Sequence, residues 1–270
     1  MSAQKPSGIA LVTGASRGIG AVYAERLAQR GYDLILVARD QRRLDQLASR
    51  IAIATKRSVS VIAADLTQDA GIRAVERELE MNGRINLVVN NAGAATMGVP
   101  LAQSDPAKDA NLIQLNIVAL TRIARASAAA FTRRRYGTLV NISSALALKV
   151  LANIAIYSGT KAYVLQFSRA LQEELADKGV TVQVVLPGAV STDIWSTNGV
   201  DVATLPKGVV MSAEELVDAA LAGLDQGELV TLPSLPDLAD WERFEKARLA
   251  VAQNLSLDHA GARYKQTETA

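Results

Sequence analysis

Seven short apolar runs, alternating with stretches of helical period, restrict this chain to very few folds. The runs occupy 9–13, 33–38, 58–63, 86–90, 137–142, 180–186 and 228–232; the helical stretches occupy 20–30, 40–54, 68–81, 112–134, 156–178 and 213–225. The runs are nearly unbroken in Val, Ile, Leu and Ala, the pattern of strands covered on both faces. Strand, helix and strand in regular succession with short connections make right-handed βαβ units. The expected fold class is α/β, a doubly wound parallel sheet with helices on both faces, in a single domain over 1–270. Two stretches break the rhythm. Residues 188–212 form a long mixed segment after a strand, where such sheets place functional loops. The tail 233–270 carries Leu238, Trp241, Phe244, Leu249, Ala252 and Leu255 at about helical spacing, the stripe of a helix packed on the core.

Composition narrows the chemistry. With 49% hydrophobic and 21% charged residues, the 270-residue chain has globular proportions. Cys is absent and His259 is the one histidine, so no disulfide, thiol nucleophile or metal site is expected. Lys and Arg total 29 against 27 Asp and Glu, a net charge of +2 that gives no footprint for nucleic acid. No apolar run reaches the roughly 18 residues of a membrane span, and residues 1–8 lack the apolar stretch of a leader. The expectation is a cytoplasmic protein without membrane or nucleic-acid partners, whose chemistry falls to hydroxyls, amides, Lys, Arg or carboxylates.

Thr13-Gly14-Ala15-Ser16-Arg17-Gly18-Ile19-Gly20 lies between the first strand and the first helix. Small residues there let the backbone turn sharply and approach a pyrophosphate, which the following helix N-terminus favours. At the end of the second strand a carboxylate would bind an adenosine ribose; this chain has Ala38 there, then Arg39, with Arg17 in the glycine loop. Two guanidinium groups without that carboxylate suit a ribose 2′-phosphate, and the other reading is two solvated surface arginines. Asp40 reads as the residue that opens the next helix.

Tyr157 and Lys161 stand at i and i+4, on one helix face. A positive charge about 4 Å from a phenol, at an effective dielectric of about 20, contributes roughly 4 kcal/mol. That would bring the tyrosine from about 10 to roughly 7 before any opposing desolvation, the useful range for proton transfer. Ser144 follows a strand and offers a hydroxyl to a substrate oxygen. Asn116 is a polar residue inside a long helical stretch, where its propensity is poor.

Taken together, the glycine loop, Asn90-Asn91-Ala92-Gly93 after the fourth strand, Asn116, Ser144, Tyr157, Lys161 and Pro187-Gly188 with Thr192 resemble the short-chain dehydrogenase/reductase family. The likeness runs over about 8–232 and implies a Rossmann-type sheet of order 3-2-1-4-5-6-7. It also implies hydride transfer to or from a nicotinamide, with Tyr157 as proton donor or acceptor and Ser144 positioning the carbonyl or alcohol. Lys161 would lower the Tyr157 pKa and bind the nicotinamide ribose, and Asn116 would hold a water through its backbone. Gly14, Ser16, Arg17, Gly18, Ile19, Gly20 and Arg39 are the expected phosphate contacts. Asp65 and Leu66 resemble the adenine-contacting pair, with an ordinary helix cap as the other role for Asp65. Asn91, Ala92 and Gly93 would line the cleft, and Pro187, Gly188, Val190 and Thr192 the carboxamide end.

In this family the segment after the Pro-Gly turn covers the substrate, so Trp195 would wall the pocket. Leu146, Leu148, Val150 and Leu151 would form the opposite wall for an apolar carbonyl compound, unless they simply pack in the core. The expected function is an NADP(H)-dependent oxidoreductase interconverting a small-molecule carbonyl and alcohol, with Tyr157 as general acid and base. The alternative is a catalytically silent NADP(H)-binding sensor. By the same likeness a homodimer or homotetramer is expected, with the Ala-rich stretch 124–130 easing close helix approach.

Overall fold

The computed structural model describes residues 8–199 and 201–264. Residues 1–7, where a leader was looked for, Val200 in the long loop and the end of the tail at 265–270 lie outside the described residues. The chain divides into two compact units, with the boundary between Pro233 and Ser234.

The first unit begins with β1 (Ile9–Thr13), α1 (Gly18–Gln29), β2 (Asp33–Ala38), α2 (Gln41–Thr55), β3 (Val59–Ala63), α3 (Asp69–Met81) and β4 (Ile85–Asn90). It continues through α4 (Pro106–Ile113), α5 (Leu120–Arg134), β5 (Gly137–Ile142), α6 (Ala155–Leu175) and β6 (Val180–Val185). A two-stranded ribbon, β7 (Ala189–Val190) with β8 (Val210–Met211), brackets a short helical turn, α7 (Ile194–Thr197). Last come α8 (Ala213–Asp225) and β9 (Val230–Thr231). The main sheet is parallel with order β3-β2-β1-β4-β5-β6-β9, the expected order with β9 as its seventh member.

Burial explains the apolar runs. Ala10 and Val12 of β1 face a layer made by α1, α2 and α8, while Ile9 and Leu11 face α3, α5 and α6. Each strand residue in the middle of the sheet therefore meets a helix on one side or the other, and burying one Val, Leu or Ile contributes about 1.5–3 kcal/mol. β3, at the edge, is only partly buried. The helices present matching stripes, such as Leu44, Leu47 and Ile51 on α2 and Ile72, Val75 and Leu79 on α3.

Two expectations need correction. The helix read over 112–134 starts at Pro106, where the Asp105 carboxylate accepts from the Ala107 N–H at 2.9 Å. It also contains a wider π turn at Gln114–Ala119. Ala124, Ala126 and Ala130, expected to ease the approach of a second copy, are buried in the core that α3 and the sheet share with α5. The tail from Ser234 clusters as a second compact unit. Its helix α9 (Leu238–Ala252) is capped by Asp237, stacks Trp241 on Phe244 with ring centroids 5.2 Å apart, and has no buried residue. Among the described residues no helix is long and apolar enough to cross a membrane.

Helix α5 returns to β5 beneath a fully buried ring: a Cβ built on Gly137 would collide with Phe131. Gly137→Ala is therefore expected to lower unfolding free energy by about 1–3 kcal/mol through overpacking, read as a shifted denaturant midpoint. An unchanged midpoint would mean that the ring moves aside freely.

Candidate active site

The strand order reverses between β1 and β4, and the crevice beyond their carboxyl ends is where doubly wound sheets bind ligands. The buried Thr13 hydroxyl closes the base of that crevice. It accepts from the N–H groups of Asn91 and Ala92, each at 3.0 Å. Asn91 Nδ2 returns hydrogen bonds to the carbonyls of Thr13 (2.9 Å) and Gly14 (3.3 Å). Gly14 has φ +67°, and a Cβ on it would come within 2.8 Å of Asn91 Nδ2 and 2.9 Å of Ala92 Cα. Gly18 has φ +56°, and its Cβ would lie 3.2 Å from Thr192 Cγ2. Residues 14, 18, 91 and 192 thus form a cradle that ordinary side chains would fill. α1 starts in it, and no side chain caps its N-terminal N–H groups. This donor set fits a pyrophosphate.

The rim of the cradle carries arginines. Arg39 is exposed and has no polar partner among the described residues, and Asp40 caps α2 as expected, accepting from Arg43 N–H at 3.0 Å. Arg17 Nη1 lies 3.1 Å from Asp193 Oδ2, and Arg43 Nη1 lies 3.8 Å from the same oxygen. Neither Arg43 nor Asp193 was singled out from sequence, although Arg43 stands one helical turn beyond Arg39. Asp65 is not a cap for α3. Its carboxylate accepts from the Thr67 N–H (2.9 Å) and hydroxyl (2.8 Å), and the residue at the cap position, Gln68, makes no side-chain cap bond. The Leu66 side chain packs in the core. Ser16 and Ile19 are partly buried and Gly20 is buried. Val190 is buried and pairs with Met211, Pro187 is buried, and Gly188 is exposed.

Ser144, Tyr157 and Lys161 are all buried. Ser144 follows β5, accepts from the Leu146 N–H at 3.1 Å and donates to the Pro187 carbonyl at 3.4 Å. Helix α6 sets Tyr157 and Lys161 on one face, and Lys161 Nζ donates to the Ile142 carbonyl at 3.0 Å. Ser143, which sequence reading passed over, fastens the helix by donating to the Lys161 carbonyl at 2.7 Å. A Cβ on Gly93 would approach Asn116 Oδ1 at 3.3 Å and Lys161 Nζ at 3.6 Å, so glycine keeps the space beside the ammonium open.

The electrostatics differ from the expectation of a phenol near neutrality. Burial raises the Tyr157 pKa, and the hydrogen bond with Ser144 only opposes this. Lys161 Nζ stands 5.7 Å from the tyrosine ring centroid, and burial lowers its own pKa to about 8. Desolvation penalises both charged forms and outweighs their mutual stabilisation.

Asn116 is in the π turn, and its amide is fully engaged. Oδ1 accepts from the Ala94 N–H at 2.9 Å, while Nδ2 donates to the Ala94 carbonyl (2.9 Å) and to Thr160 Oγ1 (3.1 Å). Thr160 in turn donates to the Tyr157 carbonyl at 2.8 Å. On the substrate side, Trp195 Nε1 donates to the Val190 carbonyl at 2.7 Å, holding the partly buried ring. Leu146 is partly buried, and Leu148, Val150 and Leu151 are exposed instead of packed in the core. Among the described residues no group of His, Cys, Asp and Glu could hold a metal ion.

Comparison with known proteins agrees with this geometry. A short-chain dehydrogenase from Sphingobium yanoikuyae in complex with NADPH is 45% identical, with a TM-score of 0.92 over 96% of this chain and 100% of that one. The bulky-bulky ketone specific alcohol dehydrogenase from Comamonas testosteroni is 43% identical, with a TM-score of 0.87 over 95% of this chain and 98% of that one. Human 17-beta-hydroxysteroid dehydrogenase type 3 is 36% identical over 184 residues, which cover 68% of this chain and 59% of that protein. The chain thus spans less than two thirds of that curated relative. The family profile described as short chain dehydrogenase matches residues 8–202, and the chain belongs to this family.

Proposed function

We propose that the chain is an NADP(H)-dependent oxidoreductase that interconverts a carbonyl compound and an alcohol, with Tyr157 as general acid and base. The observation that carries this reading is the gathering of buried Ser144, Tyr157 and Lys161 at one place, with the Lys161 ammonium 5.7 Å from the Tyr157 ring centroid, next to the glycine cradle. The alternative of a silent sensor has no such observation in its favour, since hydroxyl, phenol and ammonium are all retained.

In this reading Gly14, Ser16, Gly18, Ile19 and Gly20 hold the pyrophosphate, and Arg17 and Arg39, joined by Arg43, hold the 2′-phosphate. Asp65 and the Leu66 backbone face the adenine, and Asn91, Ala92 and Gly93 line the cleft. Tyr157 and Lys161 reach the nicotinamide ribose, and Pro187, Gly188, Val190 and Thr192 hold the carboxamide. When bound, the nicotinamide supplies or accepts the hydride. The chain's own residues manage the oxygen and its proton. Ser144 and Tyr157 hold the carbonyl oxygen, and the phenol proton passes to it as the alcohol forms. A raised Tyr157 pKa keeps the phenol protonated at neutral pH, the state needed to donate. The phenolate left behind is stabilised by Lys161, which with a pKa of about 8 stays mostly charged there. The Asn116 backbone carbonyl serves the proton relay.

For substrate we infer a bulky, apolar ketone or its alcohol. Leu148, Val150 and Leu151 after β5, Val99 and Leu101 after β4, and Val209 in the loop after β6 are exposed apolar residues on the segments that leave the carboxyl ends of three adjacent strands. The Comamonas relative's ketone specificity is consistent with this. A homodimer or homotetramer in the cytoplasm completes the proposal, to be checked by light scattering after size-exclusion.

Two outcomes test the mechanism. Tyr157→Phe is expected to lower NADPH oxidation with a panel of bulky ketones by at least about 10²-fold while NADPH still binds. Retained turnover would remove Tyr157 as the acid. The second test concerns the buried ammonium in the free protein. Between about pH 8 and 10.5 the unfolded chain keeps the Lys161 proton that the folded one has released. Stability therefore rises with pH through this window. Denaturant midpoints of the wild type should climb there relative to Lys161→Met, and parallel curves would show that Lys161 is not held below its ordinary range.

A further inference from the structure

The carboxylate of Asp193 occupies an unusual position. It belongs to the segment after Thr192, 176 residues from Arg17 in sequence, yet one of its oxygens receives guanidinium groups from two separate elements. Arg17 comes from the glycine loop and Arg43 from the first turn of α2. These flank the place where sequence and geometry put a ribose phosphate. We propose that Asp193 is an internal stand-in for the cofactor's 2′-phosphate. It neutralises the arginines and ties the loop after β7 to the glycine loop until a phosphate-bearing cofactor displaces it. This rests on the NADP(H) reading above and adds to it a residue that sets cofactor discrimination.

The chemistry favours an exchange of anions. A phosphate monoester carries about −1.5 to −2 charges at neutral pH and three acceptor oxygens, against one charge on Asp193. Both partners of the Arg17–Asp193 pair are about half exposed, at 45% and 53%, so the pair itself is weak and opens readily. The carboxylate still bears on affinity, because it must give up Arg17 and then repels the incoming phosphate at short range. A cofactor without the 2′-phosphate has nothing to offer the arginines and leaves Asp193 in place. The carboxylate makes no cap hydrogen bond to α7; the backbone carbonyl of Asp193 does the work there, accepting from the Thr197 N–H (3.0 Å) and hydroxyl (2.7 Å). Replacing the carboxylate therefore leaves the local fold its supports.

The test is equilibrium binding of NADPH and NADH to the full-length wild type and Asp193→Asn, followed by nucleotide fluorescence. Asp193→Asn is expected to bind NADPH about ten-fold more tightly, the combined effect of a released ion pair and a removed like charge, with NADH affinity unchanged. Unchanged or weaker NADPH binding, with the wild type still preferring NADPH, overturns the stand-in role and leaves the cofactor reading intact. Equal tightening of both nucleotides overturns it as well, because a diffuse charge effect would then suffice. A wild type that binds NADPH no better than NADH removes the phosphate reading and this inference with it.

Discussion

The site depends on one buried hydroxyl. Thr13 ends β1, and its Oγ1 takes two N–H groups from the first residues beyond β4. Parallel strands diverge at their carboxyl ends where their connections cross to opposite faces, and this divergence opens the crevice. Without a polar tie, the backbone groups of residues 91 and 92 would be left unpaired in a buried place, at about 1–3 kcal/mol each. Thr13 satisfies both and fixes the distance between the two strand ends. The Asn91 amide adds its own bonds to residues 13 and 14, so the glycine cradle is anchored on the rigid sheet and not on a free loop. The close approach at Gly14 follows directly, since the same amide stands where a Cβ would be.

Burial then governs the chemistry. An ammonium and a phenol on one helix face would in water attract each other once the phenol ionised, and that simple Coulomb picture gives a phenol close to neutrality. Here both lie in the interior, and desolvation acts oppositely on their pKa values, lowering the lysine and raising the tyrosine. The free site is therefore set as a proton donor. In the proposed mechanism the oxidising direction requires a phenolate, which the lysine can stabilise only while it keeps its proton, so the two titrations are coupled.

Most of the scaffold was legible because each rule was local. Strands such as Asp33–Ala38 and Gly137–Ile142 have the bounds of their apolar runs, since both faces are covered and most of their residues are apolar. Tyr157, Lys161 and Ser144 could be selected by spacing and position alone. What escaped had non-local causes. The start of α4 was missed because Pro106–Asn111 is largely exposed and carries no apolar period, although Asp105-Pro106 is a clear cap signal. The Arg17–Asp193 pair joins residues that no window along the chain brings together, and the pKa directions depend on packing. The tail's apolar spacing identified a helix correctly, but the expected packing of its stripe rested on spacing alone, and no residue of α9 is buried.

Asn116 shows how these levels connect. Read as a helix residue, an asparagine there is a propensity penalty with no visible return. In the structure its amide pairs with both backbone groups of Ala94 as a neighbouring strand would, and binds Thr160 as well. Ala94 lies beyond the strand end and has lost its sheet partners, so the asparagine supplies what β4 no longer can. Asn116 makes these bonds from within the π turn at Gln114–Ala119. A π turn shifts carbonyls out of the ordinary i to i−4 pairing. The Asn116 amide is engaged with Ala94 and Thr160. One side chain therefore ties down the segment after β4 and, through Thr160, buttresses the Tyr157 carbonyl. An alanine at 116 would remove both ties.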